Sequence, residues 1–448
     1  MMYPRLRLAR NLLKEDGLIF ISIDNNEVFN LKALASEVFG DENFVDMIIW
    51  KKRYGGGAKE KYLVTLQEYV LVYAKNLTEM ENFYIPLEQE SIDRYYKRKD
   101  DNFEKRGPFR THPLEATKSV GRRENLVYPI TAPDGTDILP ERQWWWDQER
   151  TLAAIEKGEL DFVKTKSGKW TVHTKQYLIE ENGETRKTKP FSMIENIYTQ
   201  HGTNEIAEIF GDSRIFTFPK PTDLLLKLID IGNLDKNDIV LDFFAGSGPS
   251  AHSLWKKALR DKQQLKWVLV QYPELINEKE AAYEKGFRKI SEITKARVTI
   301  INERYKQELN ELGNSGFCTF SLTNSNYKKW NDVQGEDVSQ LENSLDLFNS
   351  SPLKEDWNKN KLITELILLE GFPLDATQTK SQIGTNDIVK VESEMVPNTL
   401  LICLDDEIEE SLIDQLELDN TSTFICLDSA ISNQNKLRLS DKGLIKTI

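Results

Sequence analysis

The chain has 448 residues, 39% of them hydrophobic and 10% aromatic, with 59 Lys/Arg against 72 Asp/Glu for a net charge of −13. That length exceeds what one hydrophobic core serves and predicts two or three domains. No run reaches the roughly 20 apolar residues of a spanning helix, and three scattered cysteines and four distant histidines give no disulfide framework, zinc spacing or histidine triad. The expected setting is therefore cytoplasmic, with no membrane partner. The acidity is uneven: from residue 331 onward there are 9 basic and 23 acidic residues, while the first 330 hold 50 and 49. Between Asp93 and Glu124 basic residues outnumber acidic ones ten to six. A local positive face for a nucleic acid is thus compatible with the net charge.

The N-terminus reads as α/β. Leu6, Leu8, Leu12 and Leu13 recur at helical spacing over Pro4–Glu15, and Leu18 to Asp24 is a buried-strand pattern ending in an acid. Asn25 and Asn26 are candidate caps for a helix through Phe39, stopped by Gly40. Val45 to Trp50 reads as a strand. Lys51-Lys52-Arg53 followed by Tyr54 and three glycines reads as a mobile basic loop, and Tyr69–Tyr73 as another strand. Residues 76–212 lack a sustained period, include Trp144, Trp145, Trp146 and Trp170, and read as an irregular, mostly β insertion. Regular αβ alternation resumes at Ile215, with a helix at 222–232, strands at 239–244 and 266–272, and a helix at 249–259 between them. The acidic stretch from 310 carries two strand-like runs, Thr399–Leu404 and Thr423–Leu427, with a helical segment between.

The most informative segment is Ile239-Val240-Leu241-Asp242-Phe243-Phe244-Ala245-Gly246-Ser247-Gly248. A strand, a small-residue turn and a helix N-terminus together make a nucleotide-type pocket, because glycine lets the backbone approach a ligand closely. The plain alternative is an αβ packing turn. Asp242 is a candidate to hold an amino group of the ligand, or simply caps the turn. Glu274 follows the second strand, where an acid can accept hydrogen bonds from ribose hydroxyls; otherwise it is a solvated strand end. In Phe218-Pro219-Lys220-Pro221 two prolines enforce an extended approach. The segment is a candidate pocket wall, or only a linker.

The order of these parts resembles the S-adenosyl-L-methionine half of β-class DNA amino-methyltransferases, and more narrowly the modification subunit of type III restriction–modification systems. The similarity rests on Ile215–Thr222, Leu241–Gly248 and Val270–Glu274. It extends to Tyr3–Leu6, Asp16–Asp24, Glu68–Lys75, Arg106–Phe109, Arg123–Ile130 and Gly316-Phe317. The resemblance implies a Rossmann-like, circularly permuted methyltransferase fold with an inserted recognition region and a C-terminal α/β domain. Its expected parts are 1–50 and 213–309 for the methyltransferase core, 51–212 for DNA recognition and 310–448 for an oligomer or partner domain. It implies adenine N6 methylation of double-stranded DNA at an asymmetric sequence, with a flipped base. It further implies a homodimer and a helicase–nuclease restriction subunit as partner. The cofactor residues expected are Asp242, Phe243, Ala245, Gly246, Ser247, Gly248, Glu274, Lys220 and Pro221. Lys51, Lys52 and Arg53 are expected on DNA phosphates, as are Arg94, Lys97, Arg98 and Lys99; Arg122 and Arg123 are candidates for phosphates or guanine edges. Most of these charges, taken singly, read as a solvated face, and the three tryptophans read as a small core rather than a stacking platform.

One departure outweighs the others. The family carries an Asp-Pro-Pro-Tyr-like tetrapeptide, whose acid and neighbouring carbonyl take the adenine amino group while the aromatic stacks on the base. Here no Asp-Pro pair and no adjacent prolines exist. No catalytic residue is assigned, and the expectation is a truncated or split form that needs a complementing N-terminal fragment. A catalytically inactive DNA-binding module and a decayed fragment are the alternatives. Smaller departures are Pro249, where a Thr is usual, and Gln67, where a His is common.

Overall fold

Apolar residues three and four apart near the N-terminus form two helices that cover one face of a sheet. The computed structural model describes residues 1–56, 61–116, 121, 123–313, 316–329 and 351–448. They divide into two compact units, Met1–Gly316 and Phe317–Ile448. Helix α1 (Met2–Leu12) buries Leu6 and Ala9. Strand β1 (Leu18–Ile23) follows, then α2 (Val28–Phe39), which buries Val28, Leu31, Ala35 and Phe39 and stops at Gly40. The Asn caps do not form: Asn26 instead donates its N–H to the Asp24 carboxylate at 2.9 Å, a turn that delays the helix to Val28. Strands β2 (Phe44–Lys51) and β3 (Gln67–Ala74) are antiparallel, and β3 also pairs antiparallel with β1.

The region between Asn76 and Tyr198 holds its own small sheet. Strands β4 (Phe109–Pro113), β5 (Leu160–Lys164) and β6 (Trp170–Tyr177) are antiparallel in the order β4-β6-β5. They pack a separate core of Leu114, Tyr128, Ile130, Trp144, Leu160 and Val172. The chain then returns as β7 (Met193–Ile194), parallel to β2, completing a sheet ordered β1-β3-β2-β7.

Helix α3 (Thr199–Phe210) falls inside the stretch expected to recognise DNA, yet its Ile206 is buried with Ile215, Ile276 and Ile293 on the glycine-turn side. Its polar, glycine-containing first turns carry no apolar period, which hid it in the sequence. Helix α4 (Thr222–Ile231) packs Leu224, Leu228 and Ile231 against Ile48, Trp50, Val70 and Val72 of the first sheet. Then come β8 (Ile239–Asp242), α5 (Pro249–Asp261), β9 (Lys266–Leu269) and α6 (Ile290–Arg304), with β8 and β9 parallel. A short helix, Lys306–Glu311, buries Leu309 and packs on α5, so the first unit continues past residue 310 to Gly316.

Strands β1 and β8 each keep one open edge. Among the described residues β1 pairs only with β3, and β8 only with β9. Lys14, before β1, bonds Asp238, before β8, at 2.7 Å, and Phe243, after β8, packs on the core containing Ile19, Leu71 and Tyr73.

In the second unit α7 (Lys359–Leu369) precedes β10 (Thr377–Ile383), β11 (Asn386–Ser393) and β12 (Val396–Cys403), which are consecutively antiparallel. Helix α8 (Glu410–Gln415), β13 (Ser422–Cys426), α9 (Asn433–Ser440) and β14 (Leu444–Thr447) follow, with β13 and β14 parallel to β12. The two expected strands correspond to β12 and β13. Strand β10 escaped notice because it is exposed along nearly its whole length and shows no apolar alternation.

Candidate cofactor site

The turn after β8 is built by its own side chains. The Asp242 carboxylate accepts the Phe244 N–H at 3.1 Å and the Ser250 hydroxyl, which ends the strand at residue 242 and ties it to the first turn of α5. Gly246 and Gly248 have φ of +53° and +78°, the region that disfavours side chains. The Gly248 N–H closes on the Ala245 carbonyl at 2.7 Å, and the Gly246 N–H goes to the Gln271 side chain at 2.7 Å. The Thr294 hydroxyl, from α6, donates to the Gly246 carbonyl. Pro249 opens α5, where its missing N–H costs nothing.

A second segment flanks the turn. The Phe216 ring lies 3.4 Å from where a Cβ on Gly246 would stand. Two residues on, Phe218 has φ of +56°, unusual for an aromatic and a mark of local strain. Gly202 of α3 allows the close approach of this segment, since a Cβ there would run into the Pro219 carbonyl and the Pro221 nitrogen. Glu205, one turn later, accepts the Thr222 N–H at 3.1 Å and hydroxyl at 2.6 Å, capping α4.

Behind both segments sits a buried ionic cluster. Arg297 of α6 is 0% exposed and donates to Ser247 Oγ at 3.1 Å and Glu205 Oε2 at 2.8 Å. His252 Nδ1 lies 3.4 Å from Arg297 Nη2, and its Nε2 lies 3.5 Å from the Tyr305 hydroxyl. A guanidinium only donates, so Nδ1 accepts and the imidazole proton sits on Nε2. Burial, reinforced by the positive charge of Arg297, holds the His252 imidazolium down at about 3. His252 is therefore neutral across the physiological range.

The expected residues fare unequally. Asp242, Ala245, Gly246, Ser247 and Gly248 form one turn, and Ala245, Ser247 and Gly248 are buried. Asp242 performs the plain capping role. Phe243 faces the protein core, whereas Phe244 is the exposed ring at 59%. Glu274 is exposed after β9, anchored through its carbonyl to the Ile290 N–H at 2.9 Å. Pro221 is buried as the residue before α4. Lys220 pairs with Glu68 and stands 4.8 Å over the Trp50 ring. Glu68 is shared with Lys52, so the three groups together keep one net positive charge. Gln271, Ser250, Thr294, Arg297 and Glu205 were not singled out in the sequence. Only Gln271, a polar residue next to the strand end in Val270–Glu274, left a local signal.

Of the basic residues, Lys51 lies 3.8 Å from Glu195, and Lys52 is paired with Glu68 at 3.0 Å. Arg53 and Arg123 are exposed; Arg98 pairs with Asp161. Arg122 and Gly57 lie outside the described residues. Burial alone would raise the Glu68 carboxyl, but hydrogen bonds and charge from Lys220 and Lys52 bring it below its ordinary value. A lowered folded-state value stabilises the protein above the unfolded carboxyl range near 4.5 and is lost as pH falls through the folded value. Urea unfolding between pH 3 and 7 should therefore show an acid-side loss that Glu68→Gln flattens. An unchanged pH profile in that variant would rule out the triad as its source.

The DNA methylase family model matches residues 1–253. The chain is 29% identical over 430 residues to the StyLTI Mod subunit, a type III restriction-modification enzyme of Salmonella typhimurium, covering 90% of this chain and 63% of that one. It is 30% identical over 321 residues to the type II methyltransferase M.KpnI of Klebsiella pneumoniae, covering 67% and 73%. It is 30% identical over 346 residues to the EcoPI Mod subunit of Escherichia phage P1, covering 71% and 52%. The chain thus spans somewhat over half the length of the Mod subunits it matches. Given a family match over more than half its residues and a relative covered over most of its own length, this chain belongs to the DNA methylase family.

Proposed function

We propose that the chain is the cofactor-binding and DNA-recognising part of a DNA adenine N6-methyltransferase, the modification subunit of a type III restriction–modification system. The observation that carries this is the turn at 242–248. Two positive-φ glycines follow a parallel strand and open a helix, with an exposed carboxylate, Glu274, after the neighbouring strand. This donor and acceptor set fits S-adenosyl-L-methionine. The N-terminus of α5, which the turn opens, would take the carboxylate of the amino-acid end, Glu274 the ribose hydroxyls, and the exposed Phe244 the adenine face. The cofactor supplies an electrophilic methyl group. Phe218 and Pro219 would close the other side of the pocket, and the lobe built around β4–β6, which carries the exposed Arg123, would read the duplex. Double-stranded DNA as substrate, a homodimer, a restriction subunit as partner and a cytoplasmic setting belong to the same reading.

Positioning the adenine amino group needs groups this chain lacks, since its 448 residues hold no Asp-Pro pair. The tetrapeptide would come from chain outside Met1–Ile448. The unpaired edges of β1 and β8, whose approaches are tied by the Lys14–Asp238 pair, favour an added strand there, which would deliver the tetrapeptide near Phe243 and the glycine turn. That same missing pair favours a second reading, a DNA-binding module without activity. The test measures transfer of labelled methyl groups to duplex DNA by the chain alone and with the tetrapeptide-bearing N-terminal segment of a related Mod subunit. Expected is background transfer alone and N6-methyladenine with the segment. Persistent inactivity beside a folded segment, with salt-sensitive sequence-specific binding, would overturn the first reading for the second.

A further inference from the structure

We infer that Arg297 is a positioning residue that sets the glycine turn and the Phe218–Thr222 segment in register, as the two walls of one pocket. The inference rests on the proposed cofactor site for its consequence, but its geometry stands alone. One guanidinium reaches both walls: Nη1 holds Ser247 inside the turn at 3.1 Å, and Nη2 holds Glu205 at 2.8 Å. Glu205 in turn fixes the N–H and hydroxyl of Thr222, immediately after Pro221. The same helix fixes the Gly246 carbonyl through Thr294, one turn before Arg297. Helix α6 is thus a common reference for the two segments, in addition to α5, whose Ser253 hydroxyl lies 2.8 Å from the Thr222 carbonyl and 2.9 Å from that of Pro249.

Stability alone does not account for this arrangement. A fully buried charge costs more in desolvation than its pairing commonly returns, and Arg297 Nε is buried without a hydrogen-bond partner among the described residues. An apolar side chain of similar volume would fill the space at less cost. What the guanidinium adds is direction, because its planar fork serves two acceptors at fixed angles. A lysine can satisfy Glu205 but not both partners in that geometry.

The test uses the full chain and two readouts. In Arg297→Lys and in Glu205→Gln, amide hydrogen exchange is expected to rise at both 245–248 and 222–224, with the rest of the first unit unchanged. Calorimetric binding of S-adenosyl-L-methionine should weaken about tenfold, while the melting temperature of Arg297→Lys falls only a few degrees. If each variant loosens only its own wall, or neither wall, the coupling is wrong. If Arg297→Lys binds the cofactor as wild type does, the residue is merely structural. Should the wild-type chain bind no cofactor, the cofactor reading fails and the exchange result alone decides the coupling.

Discussion

Gly248→Val is expected to abolish S-adenosyl-L-methionine binding and to lower stability by about 2–5 kcal/mol. Two costs add. At φ of +78° a side chain crowds its own carbonyl, worth about 1–2 kcal/mol, and more for a branched residue. A Cβ would also stand 3.2 Å from Thr294 Cγ2 and 3.4 Å from Val298 Cγ2, so the further methyls overpack the turn against α6 for about 1–3 kcal/mol more. Thr294 holds the Gly246 carbonyl, so pushing it away disturbs the turn twice. Gly135→Ala is the control: its φ is +84°, but nothing lies within 4 Å of the added carbon. That variant should lose only the conformational term and keep its cofactor affinity. Calorimetric titration with the cofactor and urea unfolding of both variants check this. Undiminished binding by Gly248→Val would remove the turn from the cofactor site.

The turn was legible because everything that shapes it is local. Asp242, the glycines and Pro249 lie within eight residues, and their conformational demands can be read one by one. What stabilises the turn was not legible. Arg297 lies 50 residues from Ser247 and 92 from Glu205, and no pattern in a single sequence links them. Lys220 shows the complementary limit. A lysine between two prolines beside a pocket suggests a ligand contact, and nothing local announces that it also pairs with Glu68, 152 residues earlier. Exposed elements failed for another reason. Strand β10 and the first turns of α3 bury too little on one face to leave an apolar period.

Trp144→Ala should cost about 3–5 kcal/mol and remove DNA binding while leaving cofactor affinity intact. Trp144 is 1% exposed at the centre of the small core between β4, β5 and β6, and its indole N–H is held by the Tyr128 carbonyl at 2.8 Å. Tyr128 in turn hydrogen-bonds Thr151 at 2.6 Å and the carbonyls of Trp146 and Asp147 at 2.9 Å, so the loss propagates through one network. A core this size has little surplus stability to absorb it. The glycine turn, by contrast, is held by Gln271, Thr294 and Arg297, none of which belongs to that core. Trp145, the next residue, is 51% exposed, and Trp145→Ala should change stability by less than about 0.5 kcal/mol. Three measurements on both variants separate the roles: exchange protection at 109–177, fluorescence anisotropy with labelled duplex, and cofactor titration. DNA binding that survives the Trp144 change would place recognition outside this lobe. Binding lost with Trp145→Ala at full stability would make that exposed ring a direct contact, and the three tryptophans would then be neither simply a core nor simply a stacking surface, but one of each side by side.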